Sequence, residues 1–164
     1  MDRLILLRHG KAEADAPSGQ DFDRALTDRG RRDAALVARA LAEAGVMPDL
    51  VLVSPAARTL QTWEAAAPFF PDAKVEPALA LYNISPDEIL LLAKNDGEQA
   101  RTVMVVGHNP GLGQLAALLS RQMKMSPETR AGLAQGFPTG AAAAIDFGGM
   151  ALVMVMPKAL GGGS

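Results

Sequence analysis

The chain has 164 residues and a mass of 17.1 kDa, with 49% hydrophobic and 21% charged residues, the balance of one globular domain and not of a disordered segment. Sixteen Lys and Arg stand against 18 Asp and Glu, a net charge of −2, which argues against nucleic acid as a partner. The absence of Cys excludes a disulfide framework, thiol catalysis and a Cys-built zinc site; the two histidines, His9 and His108, have no metal-ligand spacing, so neither a metal nor a cofactor is expected.

Leu4–Leu7 is a continuous apolar run, the pattern of a strand buried on both faces. Four apolar residues are too few for a secretory leader, and the run Met150–Met156 is too short to span a bilayer, so the chain reads as soluble and cytoplasmic. Residues 10–27 form a polar loop long enough to be functional. Thr27 is placed to cap a helix running to about Ala44, ended by Gly45. Leu50–Val53 predicts a second buried strand. Ser54-Pro55 reads as N-cap and first residue of a helix toward Phe70. Lys74–Glu76 is a short strand candidate, and Ser85-Pro86-Asp87-Glu88 is a capping box ahead of Ile89-Leu90-Leu91-Leu92. Thr102–Val106 predicts the third strong strand, with Asn109-Pro110 capping a helix to about Ser120. Ser126–Ala134 is a shorter helix. Ala141–Phe147 and Met150–Met156 flank Gly148-Gly149, a hairpin signal. Alternating strands and helices imply an α/β fold: one three-layer αβα domain, mainly parallel, with an antiparallel edge. The domain is expected over 1–158 as a monomer, with 159–164 a flexible Gly-rich tail.

Open α/β sheets bind ligands beyond the carboxyl ends of their strands. Strand one ends Leu7-Arg8-His9-Gly10, strand two runs into Ser54 and Arg58, and strand three ends Gly107-His108-Asn109. Both histidines and two arginines therefore fall at one edge of one sheet. Arg8 and Arg58 offer planar forks matched to phosphate oxygens. Helix N-termini after Ser54 and Asn109 add partial positive charge. A phosphoryl group held there is open to in-line attack by a neutral histidine nitrogen, and the positive surroundings should depress that histidine's pKa. Thr62, one turn after Arg58, is placed to support it or to pack the helix. Arg24 can reach the site from the polar loop, whereas Arg29 reads as solvated. Met123 and Met125 suit either the core or an apolar rim.

Four segments carry a family resemblance: Leu7-Arg8-His9-Gly10; Leu26-Thr27 followed by Gly30; Val53-Ser54-Pro55-x-x-Arg58-x-x-Gln61-Thr62; and Val106-Gly107-His108-Asn109-Pro110. Together they resemble the histidine phosphatase superfamily, which includes the cofactor-dependent phosphoglycerate mutases. Lys11-Ala12-Glu13 and Phe137-Pro138-Thr139-Gly140 are most similar to the SixA-type phosphohistidine phosphatases. The resemblance runs from residue 3 to about 156. It implies a phosphoglycerate mutase-like fold, His9 as the nucleophile, Arg8 and Arg58 as phosphate-binding arginines, and His108 as the second histidine, which binds phosphate and stabilises the transition state. The acidic proton donor of the mutases has no clear counterpart. Glu88 is the candidate, with Asp87, Glu13 and Glu64 as alternatives, although the capping box already accounts for Glu88 and Asp87.

A phosphorylated imidazole can leave protonated and nearly neutral, whereas an alkyl phosphate needs a placed acid. With walls available only from residues 10–27 and about 121–140, a shallow site is expected. Both points favour phosphohistidine on a signalling protein as substrate. A phosphatase for a small metabolite and a non-catalytic phospho-ligand module are the alternatives.

Overall fold

The computed structural model describes residues 1–163. Its six strands, β1 (Arg3–Arg8), β2 (Leu50–Val53), β3 (Lys74–Pro77), β4 (Thr102–Gly107), β5 (Ala142–Asp146) and β6 (Ala151–Val155), form one sheet in the order β3-β2-β4-β1-β5-β6. The first four are mutually parallel; β5 runs antiparallel to β1, and β6 antiparallel to β5. The expected mainly parallel sheet with an antiparallel hairpin edge is the one observed.

Alternation within the buried strands builds the layers. Ile5, Leu7, Val51, Val53, Met104 and Val106 point into one cluster, with Val37 and Leu41 of α1 (Asp28–Glu43) and Ala66 of α2 (Ala57–Ala66). Leu4, Leu6, Leu52, Val103 and Val105 point into the other, with Ile89 and Ala93 of α3 (Pro86–Asp96) and Leu112 and Leu115 of α4 (Gly111–Ser120). Because both faces are covered, the strands read as unbroken apolar runs. Met123 and Met125 pack against this second cluster, so they serve the core. The remaining helix, α5 (Pro127–Ala134), opens at Ser126, whose side chain accepts from Thr129 N–H.

Caps behave largely as the sequence predicts. Thr27 Oγ1 accepts from Gly30 N–H at 3.0 Å, and Ser85 with Glu88 forms the complete capping box. Two helix starts are corrected. Helix α2 begins at Ala57 with Ala56 at its N-cap, and Ser54 does not cap it; the helix also stops at Ala66, giving way to a 3-10 turn over Ala67–Phe69. Helix α4 begins at Gly111, with Asn109 Oδ1 still accepting from Gly113 N–H at 3.1 Å. The segment read as a tail packs in part on α1: a 3-10 turn spans Pro157–Leu160, and Gly163 N–H donates to Asp33 Oδ1 at 2.9 Å. The tail's last residue, Ser164, lies outside the described residues. No described helix is long and apolar enough to cross a membrane.

Register decides where chemistry collects. Leu7 lies level with Val106, and Val106 with Val53, so β1, β4 and β2 end together. The residues that follow, His9, His108 and Ser54, emerge side by side. Strand β5 is antiparallel, with Ala142 opposite Leu7, so its beginning lies at the same edge and brings the loop around Phe137 there too.

Candidate active site

His9 follows β1, its N–H donating to Gly107 O at 3.1 Å. The residue is 8% exposed. Its Nδ1 lies 2.8 Å from the Gly10 carbonyl oxygen. A carbonyl only accepts, so Nδ1 carries the proton and Nε2 keeps its lone pair. The ring is thereby held in the tautomer a nucleophile needs. Burial, with the nearby charges of Arg8, Arg58 and Arg24, pushes its pKa down to about 4. The expected direction holds, but burial is a larger cause than the arginines.

The His108 ring stands 5.4 Å from that of His9, at 56°. Its Nε2 lies 2.7 Å from Ser54 Oγ, and Ser54 is fully buried at the end of β2. The serine that sequence reading assigns to a helix cap instead orients the second histidine. Burial, followed by the charge of Arg58, lowers the His108 pKa to about 3. Both imidazoles are therefore neutral at neutral pH.

The arginines are held from behind. Arg8 Nη1 donates to Phe137 O at 2.7 Å, and Asn109 Nδ2 donates to the same carbonyl at 2.9 Å. Arg58, 7% exposed, donates from Nη1 to Asp21 O at 2.8 Å and from Nη2 to Asp21 Oδ2 at 3.0 Å. Each of three site residues keeps one buried nitrogen without a partner: Arg8 Nε, Arg58 Nε and His108 Nδ1. Buried polar atoms are normally satisfied, so three orphans in one cluster mark a place for a ligand rich in acceptor oxygens.

The loops are braced around this cluster. Gly10 N–H donates to Thr62 Oγ1 at 3.0 Å, while that hydroxyl donates to Arg58 O at 2.7 Å, so Thr62 ties the His9 turn to α2. A Cβ at Gly10 would lie 2.5 Å from Gly30 O; only glycine allows the first turn of α1 to come this close. Gly140 N–H donates to His9 O at 2.9 Å, which explains Phe137-Pro138-Thr139-Gly140 as a strap across the site.

Among the described residues, no side-chain hydrogen bond or ion pair joins Glu88, Asp87, Glu13 or Glu64 to His9, His108, Arg8 or Arg58. Glu88 accepts from Ser85 N–H and Oγ, bonds that lower its pKa and keep it ionised. Asp87 and Glu13 are exposed, and Glu64 lies 4.0 Å from Arg31 in a surface pair. The carboxylate that does reach the arginines is Asp21, which the sequence argument did not single out. It sits on a 3-10 turn over Asp21–Asp23, accepts from Tyr82 OH at 2.7 Å and Arg24 Nη1 at 2.8 Å, and has its pKa lowered to about 2, chiefly by the Tyr82 bond. Tyr82 stands edge-on to His108, with ring centroids 5.6 Å apart. Its being the chain's one tyrosine was the available signal. Arg24 acts through Asp21, and Arg29 is half-buried 3.6 Å from Asp33.

The model of the histidine phosphatase superfamily (branch 1) matches residues 4–85. The uncharacterized chloroplastic protein At3g52155 of Arabidopsis thaliana is 35% identical over 145 residues, covering 82% of this chain and 66% of that protein; the chain spans about two thirds of the relative's length. A structure assigned as the phosphohistidine phosphatase SixA from Agrobacterium tumefaciens superposes with a TM-score of 0.81 at 32% identity, covering 95% of this chain and 99% of that one. The protein histidine phosphatase SixA complexed with tungstate gives 0.74 at 28%, over 96% and 99%. With the two histidines and two arginines gathered at the ends of β1, β2 and β4, these likenesses make the chain a member of the histidine phosphatase superfamily, a phosphatase of the SixA type.

Proposed function

We propose that the protein removes phosphate from phosphohistidine on a protein, through a phosphohistidine intermediate at His9. The observation that carries this reading is the set of unpartnered nitrogens on Arg8, Arg58 and His108 beside a histidine whose Nε2 lone pair is free. The two guanidinium groups are suited to the phosphoryl oxygens, whose charge they would neutralise in the transition state, with the neutral His108 ring beside them. His9 Nε2 attacks phosphorus in line as the P–N bond to the substrate imidazole breaks, and that imidazole departs carrying its own ring proton. Water then attacks the phosphorylated His9, returning the bonding pair to Nε2 and releasing inorganic phosphate. The two guanidinium groups supply positive charge without a metal. Tungstate in a similar SixA structure supports an oxyanion site of this kind.

A leaving imidazole needs no placed acid, whereas a leaving alkoxide does. Glu88 is held as an anion by its cap, and Asp21 is held as an anion by Tyr82, Arg24 and Arg58. The test compares kcat/KM for a phosphohistidine protein, free phosphohistidine, p-nitrophenyl phosphate, sugar phosphates and phosphoglycerate, with and without a chelator. Phosphohistidine should rank first, chelation should leave the rate unchanged, and wild type should carry acid-labile, base-stable phosphate that His9→Ala lacks. A higher kcat/KM on a sugar phosphate or phosphoglycerate would overturn the substrate; full activity in His9→Ala would overturn the mechanism.

A further inference from the structure

We infer that Asp21 is a positioning residue of the phosphoryl site, gripping the two outer nitrogens of Arg58 and so fixing the place and rotation of its guanidinium. This rests on the reading of Arg58 as a phosphate-binding residue. The contact is two-pointed: the backbone carbonyl of Asp21 takes Nη1 at 2.8 Å, and its carboxylate takes Nη2 at 3.0 Å. Two bonds to a planar fork fix its rotation as well as its place.

Asp21 is itself held from two further sides. Tyr82 OH donates to Oδ2, and Arg24 Nη1 donates to Oδ1. Arg24 is in turn anchored by Nε donating to Glu13 O at 2.7 Å. The Tyr82 ring is wedged between Phe22, centroids 5.2 Å apart, and His108. Asp21 thus joins the loop over 10–27 by hydrogen bonds to Arg58, Arg24 and Tyr82, and the Tyr82 ring packs edge-on against the second histidine.

A competing description makes the Asp21 carboxylate a stand-in that phosphate must displace. The carbonyl contact argues against it, because the loop backbone itself is fastened to Arg58. Displacing the side chain would also break its bonds to Tyr82 and Arg24.

The experiment measures kcat/KM with p-nitrophenyl phosphate and the affinity for vanadate in Asp21→Asn, Tyr82→Phe and Arg58→Ala, and in Asp21→Asn combined with Arg58→Ala. Asp21→Asn keeps the shape of the side chain, and Tyr82→Phe removes only a hydroxyl, so a melting curve will show both folded. Loss of a charged partner at a buried guanidinium should lower kcat/KM about tenfold and weaken vanadate in parallel, with a smaller loss for Tyr82→Phe. In the Arg58→Ala background the Asp21 change should be nearly silent. Tighter vanadate binding by Asp21→Asn would overturn the inference in favour of a competing carboxylate. An equal loss in the Arg58→Ala background would overturn it by placing Asp21's effect elsewhere. If Arg58→Ala alone kept its kcat/KM, the reading of Arg58 would fall, and this inference with it.

Discussion

At the scale of single residues, the site works by restricting what each side chain is free to do. His9 has one nitrogen occupied by a carbonyl and one free; Arg58 has both outer nitrogens occupied, Arg8 has Nη1 occupied, and the Nε of each is without a partner. This explains why a charge-conserving change should fail. Lys at position 58 keeps the positive charge but offers one point where Asp21 and a phosphoryl group together need a fork. Arg58→Lys is therefore expected to lose about tenfold or more in kcat/KM, roughly 1.4 kcal/mol per decade. Steady-state kinetics on p-nitrophenyl phosphate checks this; an unchanged value means Arg58 does not touch the phosphoryl group. That His9, His108, Arg8 and Arg58 fall at one edge of the sheet was legible in the sequence, because Arg8 closes a strand, His9 and His108 directly follow strands, Arg58 lies in the first turn of the helix that follows another, and glycine or proline marks the turns. Asp21 was not: it lies in a polar loop among other acids, and only the fold reveals that Arg58 waits on α2 to meet it.

At the scale of elements, one turn is clamped to three neighbours by hydrogen bonds and close backbone approach and not by bulk. The turn after β1 is fastened to α2 through Thr62, to α1 through the close approach of Gly10 and Gly30, and to the strap before β5 through Gly140. Strands β1, β2 and β4 were readable from apolar runs, the β5–β6 hairpin from its Gly148-Gly149 turn, and most caps from Ser and Thr; the order of the strands in the sheet was not. The start of α2 was misplaced because Ser54-Pro55 has the chemistry of a cap, yet Ser54 finds a stronger use on His108 at the end of a neighbouring strand. Tertiary contact overrode a local rule there, as happens most readily at functional sites. The Gly10 contact carries its own expectation. In Gly10→Ala the new methyl meets backbone at Gly30, which has no side chain to move aside, so overpacking should cost about 1–3 kcal/mol. Turnover should fall further than stability alone explains, because the displaced turn carries His9. Urea unfolding together with kcat measured well below the melting point separates the two; full activity at wild-type stability would mean the α1 contact is not needed.

For the whole molecule, the site has a thermodynamic signature. Folding buries two imidazoles as neutral groups with pKa values of about 4 and 3, whereas an unfolded histidine titrates near 6.5. Between pH 6.5 and about 4 the unfolded chain therefore binds more protons than the folded one. Stability is full above pH 6.5, falls as the pH drops through that window, and stops falling on this account below the folded values. Each histidine contributes a slope of up to about 1.4 kcal/mol per pH unit while it is protonated only in the unfolded chain. Asp21 is lost in a separate, more acidic window, from the ordinary carboxylate range down to about 2, so the two effects do not overlap above pH 4.5. Urea unfolding of wild type from pH 7 to 4.5 should show a steady decline, and the same series on a His9→Gln, His108→Asn double variant should be markedly flatter. Ring-proton NMR of the wild type should show neither histidine titrating near 6.5. Parallel slopes in the two proteins, or an ordinary midpoint for His9, would mean the imidazoles are not held neutral by the fold, and the free Nε2 on which the proposed attack depends would lose its physical basis.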